Sequence, residues 1–535
     1  MNRHVARLSL LCALLPVSAR AQQGTFILRS GNDTISVERF TRTPTSLQTE
    51  LLLRTASVRM GLTMDIGADG MVPKLESRVW GASDPATAPP KQLATITFRG
   101  DSVIVEISGS PQPAIQRLGT TAGALPYVNP SFAMVEVLIQ RARRLGGASA
   151  VIPLFLVAGG QTTPATVKTI SADSVSVAIG GGDLRLAVDL DGRVLGGNFV
   201  GQPAVLERVA GNAVSFAVEK PDYSPPAGAP YTAEDVTVPT PMGHTLAGTL
   251  TLPKGAGPGK RVPAVVTITG SGPEDRDEAI PMFKGYRPFR EFADSLGRRG
   301  IAVLRMDDRG FGGSGGNAAT ATSADFAEDI RAGLAYLRTR AEIDPARLAL
   351  MGHSEGGIIA PMVAVKEPAL RAMVLLAGTA YTGRKVLTFQ MNNGINNQFK
   401  LPAYQDSAAK RDAMLAHVPQ TIDSIAGAVP WMKFFIDYDP LTTARRVKTP
   451  VLVLNGATDQ QVTPDQAPEL EKAFKAAGNR DVTMKIYPDL NHLFVYDPSG
   501  YPGAYTSLKS FMVDRAVIGQ VVDWLVRQLQ SNGAT

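Results

Sequence analysis

From about Gly24 to Ala217, apolar and polar residues alternate in short stretches broken by glycine and proline. Leu93–Phe98, Ser102–Ile107, Thr166–Ile170, Ser174–Ile179 and Leu184–Val188 carry the period of two expected of strands with one buried face. A single helical pattern near Pro130–Arg144 interrupts them. The region is expected to form a β-rich antiparallel domain, a curved sheet or partial barrel with a helix laid against it. It shows no blade-length repeat, which counts against a propeller. The pattern then changes. After the proline-rich stretch Lys220–Pro230, apolar runs recur at Ala264–Thr269, Ile301–Met306, Leu348–Met351, Met373–Ala377, Val451–Leu454 and Thr483–Tyr487. Amphipathic helices separate them, one carrying Phe289, Phe292, Ala293 and Leu296, another opened by Thr322 and Asp325 as a capping box. Strands that are apolar on both faces and alternate with helices predict a mostly parallel sheet covered on both sides. The expected division is a leader over 1–21, a β-rich domain over 24–217, a linker over 218–232 and a catalytic α/β domain over 233–535. A helical insertion at about 380–447, rich in aromatic residues, interrupts the α/β pattern and is expected to cap the site.

Chemistry concentrates where one apolar run stops abruptly at Gly352–His353–Ser354–Glu355–Gly356 and a helical pattern begins at once. Strand, tight turn and helix are how a chain lifts a serine hydroxyl clear of a buried sheet. The same Gly-x-Ser-x-Gly spacing at Gly312–Gly316 lies among five glycines with no helix following, and reads as a structural turn. A serine hydroxyl needs a base, an orienting acid and an oxyanion site to act as a nucleophile. Of the five histidines, His4 falls in the leader, His353 in the turn itself, His244 in an expected solvated turn and His417 in the insertion. His492 follows a sheet strand at its carboxyl end, where open parallel sheets gather their sites. Asp459 ends the run Pro450–Asp459 between the serine and the histidine, and is preferred as the acid to Asp489, which reads as a turn former. Backbone N–H groups of Glu355 and of Ser271, in the turn after Val265–Thr269, are the expected oxyanion donors. On that reading only the Ser271 backbone matters, so loss of its hydroxyl should be nearly silent.

These residues resemble the α/β-hydrolase superfamily, and more closely secreted bacterial carboxylesterases and serine aminopeptidase-like hydrolases. The resemblance rests on Leu246–Pro253, Gly270–Asp277, Asp308–Gly312, Gly352–Gly356, Gly456–Asp459 and Asn491–His492, in that order over roughly 230–530. Many relatives carry His-Gly before the oxyanion position, where this chain has Thr269–Gly270. The resemblance implies an α/β-hydrolase fold with a helical cap, preceded here by the smaller β-rich domain, and an ester-hydrolysing activity.

Composition narrows the remaining choices. Arg3 and Arg7, the apolar Leu8–Val17 and Ala19–Arg20–Ala21 form a secretory leader with its cleavage site, so a periplasmic or extracellular location is expected. The sole cysteine, Cys12, lies in it, so the mature chain is expected to have no disulfide, no cysteine metal site and no thiol nucleophile. No cofactor and no metal are implied. The net charge of +6 includes three leader arginines, and no basic block is interleaved with aromatics, so nucleic acid is not an expected partner. No apolar run beyond the leader is long enough for a membrane span, which takes about 20 residues. The expected partner is a small-molecule ester. Glu274, Asp275, Asp277 and Glu278 crowd the loop after the oxyanion turn, either as a solvated ion-pair network with Arg276 and Arg309 or as a receptor for a substrate amine. The second possibility keeps a serine aminopeptidase or prolyl-oligopeptidase-like peptidase open as an alternative. A secreted binding protein on an inactive hydrolase fold is the non-enzymatic one.

Overall fold

A computed structural model describes residues 21–530, apart from 31–32, 55–57, 83, 85–86, 109–113, 181, 201–203, 212–215, 217–220, 281–282, 284, 401–406 and 428. All of the expected leader except Ala21, including Cys12, lies outside the described residues, as does part of the linker.

Fifteen strands, from β1 (Gln22–Ser30) to β15 (Ala204–Val209), form one sheet in near-sequential order. All neighbours pair antiparallel except β9 (Leu125–Tyr127) with β10 (Ser149–Leu156), which run parallel across the helix α1 (Phe132–Leu145) that joins them. Helix α1 presents Phe132, Val135, Leu138 and Ile139 to the same core as Phe26, Leu51, Leu75, Val177 and Leu186 from the sheet. The alternating pattern is thus satisfied by a sheet curled over one helix. Glu38, buried beneath the start of α1, accepts from Ser131 Oγ (2.5 Å), Thr49 Oγ1 (2.9 Å) and the N–H groups of Phe132 (2.7 Å) and Ala133 (3.1 Å). It thereby serves the otherwise unpaired donors of the first helical turn.

The second sheet has the order β16-β17-β19-β18-β20-β21-β22-β23. Its strands are β16 (Tyr231–Pro239), β17 (Thr245–Pro253), β18 (Val262–Ile268), β19 (Ala302–Met306), β20 (Ile343–His353), β21 (Ala372–Leu376), β22 (Val451–Gly456) and β23 (Val482–Tyr487). From β19 to β23 every pairing is parallel, while β17 runs antiparallel to β19 and β16 antiparallel to β17. β16 begins inside the expected linker, since Tyr231 is buried against the sheet and its hydroxyl donates to Asp294 (2.7 Å). Strands β18 to β22 are buried throughout except at the start of β20. One face packs under α3 (Ser323–Thr339), α4 (Gly356–Lys366) and α9 (Gln466–Ala476), the other under α2 (Pro288–Arg298) and α10 (Arg515–Gln530). Among the described residues no helix is long and apolar enough to cross a membrane.

The expected cap is four helices, α5 (Gly383–Gln398), α6 (Ala408–Ala426), α7 (Pro430–Asp437) and α8 (Pro440–Ala444). Val418, Ile422 and Ile436 form its small separate core, with Met391 packed against it.

Ahead of β16 the linker is tied to the α/β region. The Tyr223 hydroxyl donates to Asp275 (3.1 Å), its ring lies 4.2 Å from the Arg276 guanidinium, and Arg287 and Arg290 donate to the carbonyls of Asp222 (2.6 Å) and Ser224 (2.8 Å).

Candidate active site

Strand β20 ends at His353, α4 begins at Gly356, and Ser354 between them takes a left-handed φ of 53°. A side chain at Gly352 would meet Gly356 O at 2.2 Å, and one at Gly356 would meet Ile268 O at 2.3 Å, so only glycine lets the turn close against β18. The turn is held by Ser354 N donating to Leu376 O (2.9 Å) and by Gly357 N donating to Ser354 O (2.9 Å). A strained non-glycine backbone here accords with a serine displayed for chemistry. The decoy is occupied structurally: Ser314 Oγ donates to Asp307 O (2.8 Å) and accepts from Ala247 N (2.9 Å).

His492 lies in the loop after β23. Its Nδ1 is 2.8 Å from Asp459 Oδ2, and both residues are buried. Asp459 is fixed from its other oxygen, which accepts from Gln461 N (2.8 Å) and Val462 N (2.9 Å). Asn491, fully buried, accepts from Leu493 N (3.0 Å) and Val495 N (3.2 Å) and stiffens the histidine's turn. Asp489, with φ 56°, is a turn residue.

Ser354, His492, Ser271 and Glu355 line one cavity of about 230 Å³. The cap contributes Val386, Leu387, Gln390, Trp431 and Phe435 to its wall. Of the other cap aromatics, Phe389 is exposed and Phe434 stacks on Tyr438, so neither belongs to this wall. Gly270 N–H donates to Glu274 Oε2 (2.8 Å) and Glu278 Oε1 (3.2 Å), which leaves the next residue, Ser271, as the donor candidate on this side. The Glu355 carboxylate is buried and accepts from Ser323 Oγ (2.6 Å), Trp431 Nε1 (2.7 Å) and the Ser271 hydroxyl. Burial pushes its pKa up, and those three bonds partly restore it. Both oxyanion candidates are therefore bound through one carboxylate to the cap.

Several expectations need correction. The acidic loop is not solvated: Asp275, Asp277 and Glu278 are buried. Arg276 pairs with Asp307 and Asp235, while Asp277 pairs with Arg305 and Arg287. Arg309 turns away from the loop to Asp329 on α3 (2.8 Å). His244 is not a solvated turn residue, because its ring bridges Thr240 Oγ1 and Asp329 Oδ1, each at 3.1 Å. Glu274 has its pKa raised well above the carboxylate range, first by burial and then by the charges of Glu278 and Asp308. Among the described residues, Glu278 Oε2 and Thr379 Oγ1 are buried without a hydrogen-bond partner, and both residues line the cavity.

His353, set aside on sequence grounds, also lines the cavity. Its Nδ1 is 2.5 Å from Glu278 Oε1, its Nε2 is 2.9 Å from the His492 carbonyl, and the two imidazole rings are 4.8 Å apart. Its spacing from Glu278, 75 residues away, gave no signal.

A strand–turn–helix elbow at Ser354, with the buried His492–Asp459 pair at the ends of neighbouring strands, sits in an α/β-hydrolase fold, and the chain is similar to members of that superfamily, which supports a hydrolase. Residues 284–499 match the serine aminopeptidase S33 family. Esterase EstD of Thermotoga maritima is 29% identical over 319 residues, covering 59% of this chain and 72% of that protein. Dipeptidyl aminopeptidase BIII of Pseudoxanthomonas mexicana is 28% identical over 260 residues, covering 47% of this chain and 34% of that protein. Among solved structures, the esterase Pf2001 of Pyrococcus furiosus overlays at a TM-score of 0.38 with 18% identity, covering 57% of this chain and 96% of that one.

Proposed function

We propose that this protein cleaves carboxylic esters through an acyl-enzyme. Ser354 Oγ attacks the carbonyl carbon while His492 Nε2 takes its proton. Asp459 holds the imidazole through Nδ1 and stabilises its cationic form. Ser271 and Glu355 N–H groups stabilise the oxyanion. The imidazolium then returns the proton to the leaving alcohol. Water activated by the same histidine releases the acid and regenerates Ser354. The observation that carries this reading is the 2.8 Å bond between Asp459 and His492, the latter lining the same cavity as the strained Ser354. Likeness to esterase EstD favours an ester over an amide. Export is part of the same proposal, and the purified mature enzyme is expected to begin at Gln22.

One observation favours a second reading, an aminopeptidase. Among the described residues the cavity wall carries Glu274, Glu278 and Glu355 and no lysine or arginine, which suits a substrate ammonium. Turnover of a short acyl ester against an aminoacyl amide decides between them; a faster amide would overturn the esterase assignment. Covalent labelling by a fluorophosphonate probe tests both against an inactive binding protein, and an unlabelled wild-type protein would reject either enzyme.

A further inference from the structure

Three separate strand ends must be held in mutual register for the proposed chemistry: β18 with its oxyanion turn, β20 with the elbow, and β23 with the His492 loop. The parallel ladder aligns β18 with β20, but His492 lies five residues beyond the end of β23, outside any ladder. One side-chain chain spans all three. Gly270 N–H donates to Glu278 Oε1 (3.2 Å), the same oxygen lies 2.5 Å from His353 Nδ1, and His353 Nε2 lies 2.9 Å from the carbonyl of His492. A carbonyl only accepts, so His353 Nε2 carries a hydrogen. Glu278 itself adopts a left-handed φ of 56°, a conformation that non-glycine residues keep only where their surroundings impose it.

We propose that Glu278 and His353 form a clamp that sets the His492 loop against the oxyanion turn, which makes His353 a positioning residue for the hydrolysis proposed above. The inference rests on that reading. The hydrogen bonds of His353 go to Glu278 and to the His492 carbonyl, so it acts through the backbone of the base. A base displaced by about 1 Å can lose on the order of 10²-fold in rate, so a clamp of this kind is visible in turnover.

The clamp is charge-dependent. Burial alone would lower the His353 pKa, but the Glu278 charge, its hydrogen bond, the His492 carbonyl and Asp459 outweigh it, and the net direction is upward. The groups facing His353 are Glu278 at Nδ1, the His492 ring and carbonyl with Asp459 behind them, and the ring of Phe494. Glu274 and Asp308 lie behind Glu278, both with pKa values raised well above the carboxylate range by burial. Below its raised pKa His353 carries a proton on both nitrogens and the clamp is intact. As pH climbs through that value, Nδ1 presents a lone pair to a carboxylate oxygen and the contact becomes repulsive.

The test compares Ser354→Ala, His353→Phe and Glu278→Gln with the wild type in ester turnover across pH. His353→Phe is expected to lower kcat about tenfold to a hundredfold with KM within about twofold. Glu278→Gln can donate its amide to a neutral His353 while Gly270 N–H keeps Glu274. It is expected to lack the wild-type loss of kcat at alkaline pH. Wild-type kcat in His353→Phe would overturn the clamp. If that variant does not fold, superimposable pH profiles for Glu278→Gln and wild type would overturn it instead. An active Ser354→Ala would remove the triad reading itself, whereas an inactive one beside an unaffected His353→Phe removes only the clamp.

Discussion

Each domain buries a glutamate under a helix or turn, and the two are treated differently. In the amino-terminal sheet, Glu38 has four donors, two hydroxyls and two backbone N–H groups, shared between both of its oxygens. In the α/β region, Glu278 has both contacts on Oε1, and Oε2 is buried without a partner among the described residues. Burial raises the pKa of Glu38, with its four bonds opposing the rise. A carboxylate with every acceptor site engaged is part of the architecture. One with an oxygen unpartnered among the described residues, at the wall of the cavity that Ser354 also lines, is less fully built into the architecture.

The sharpest way to break this contrast is at the serine. Ser354→Ala should remove turnover by at least about 10⁴-fold and abolish fluorophosphonate labelling, with the melting temperature unchanged. A large loss of stability would instead make Ser354 architectural. Glu38→Ala should do the reverse, with unchanged kcat per folded molecule and a stability loss of about 3 kcal/mol from the donors left unpaired, read by denaturant unfolding. The folded protein holds the Glu38 proton at pH values where the unfolded chain has released it. Its contribution to stability therefore weakens as pH rises from the usual carboxylate range through the raised folded value, and is level beyond. Glu38→Gln should flatten that slope in thermal melts.

Smaller effects locate the boundary between the two roles. Trp431→Phe keeps the ring stacked on Phe435, 5.1 Å away, but removes the N–H that donates to Glu355. A loss of kcat of about tenfold is expected, the worth of one bond to a charged group, and an unchanged kcat would detach the cap from the oxyanion side. Ser271→Ala should cost about fivefold rather than nothing, because the hydroxyl reaches the Glu355 carboxylate. A silent variant would restore the backbone-only role.

Strand placement was largely legible, because runs such as Met373–Ala377 and Val451–Leu454 are apolar on both faces and have one way to be buried. The His492–Asp459 pairing could be expected from chain order and strand ends. What could not be read were contacts made by side chains that leave loops and fold inward: Arg309 to Asp329 rather than to the acidic loop, His244 to Asp329, and His353 to Glu278. Charge in a loop sequence does not say which way the loop faces, and glycine-flanked turns carry no periodicity to decide it.

The docked linker has a practical consequence for anyone dissecting the chain. A truncation starting at Tyr231, where the first strand of the α/β sheet begins, would strip away Tyr223 and uncover the flat face of Arg276, which ties the loop after β18 to Asp307. A cut placed before Pro221 would leave that aromatic shield attached, so two fragments differing by ten residues should differ in solubility and in how firmly that loop is held.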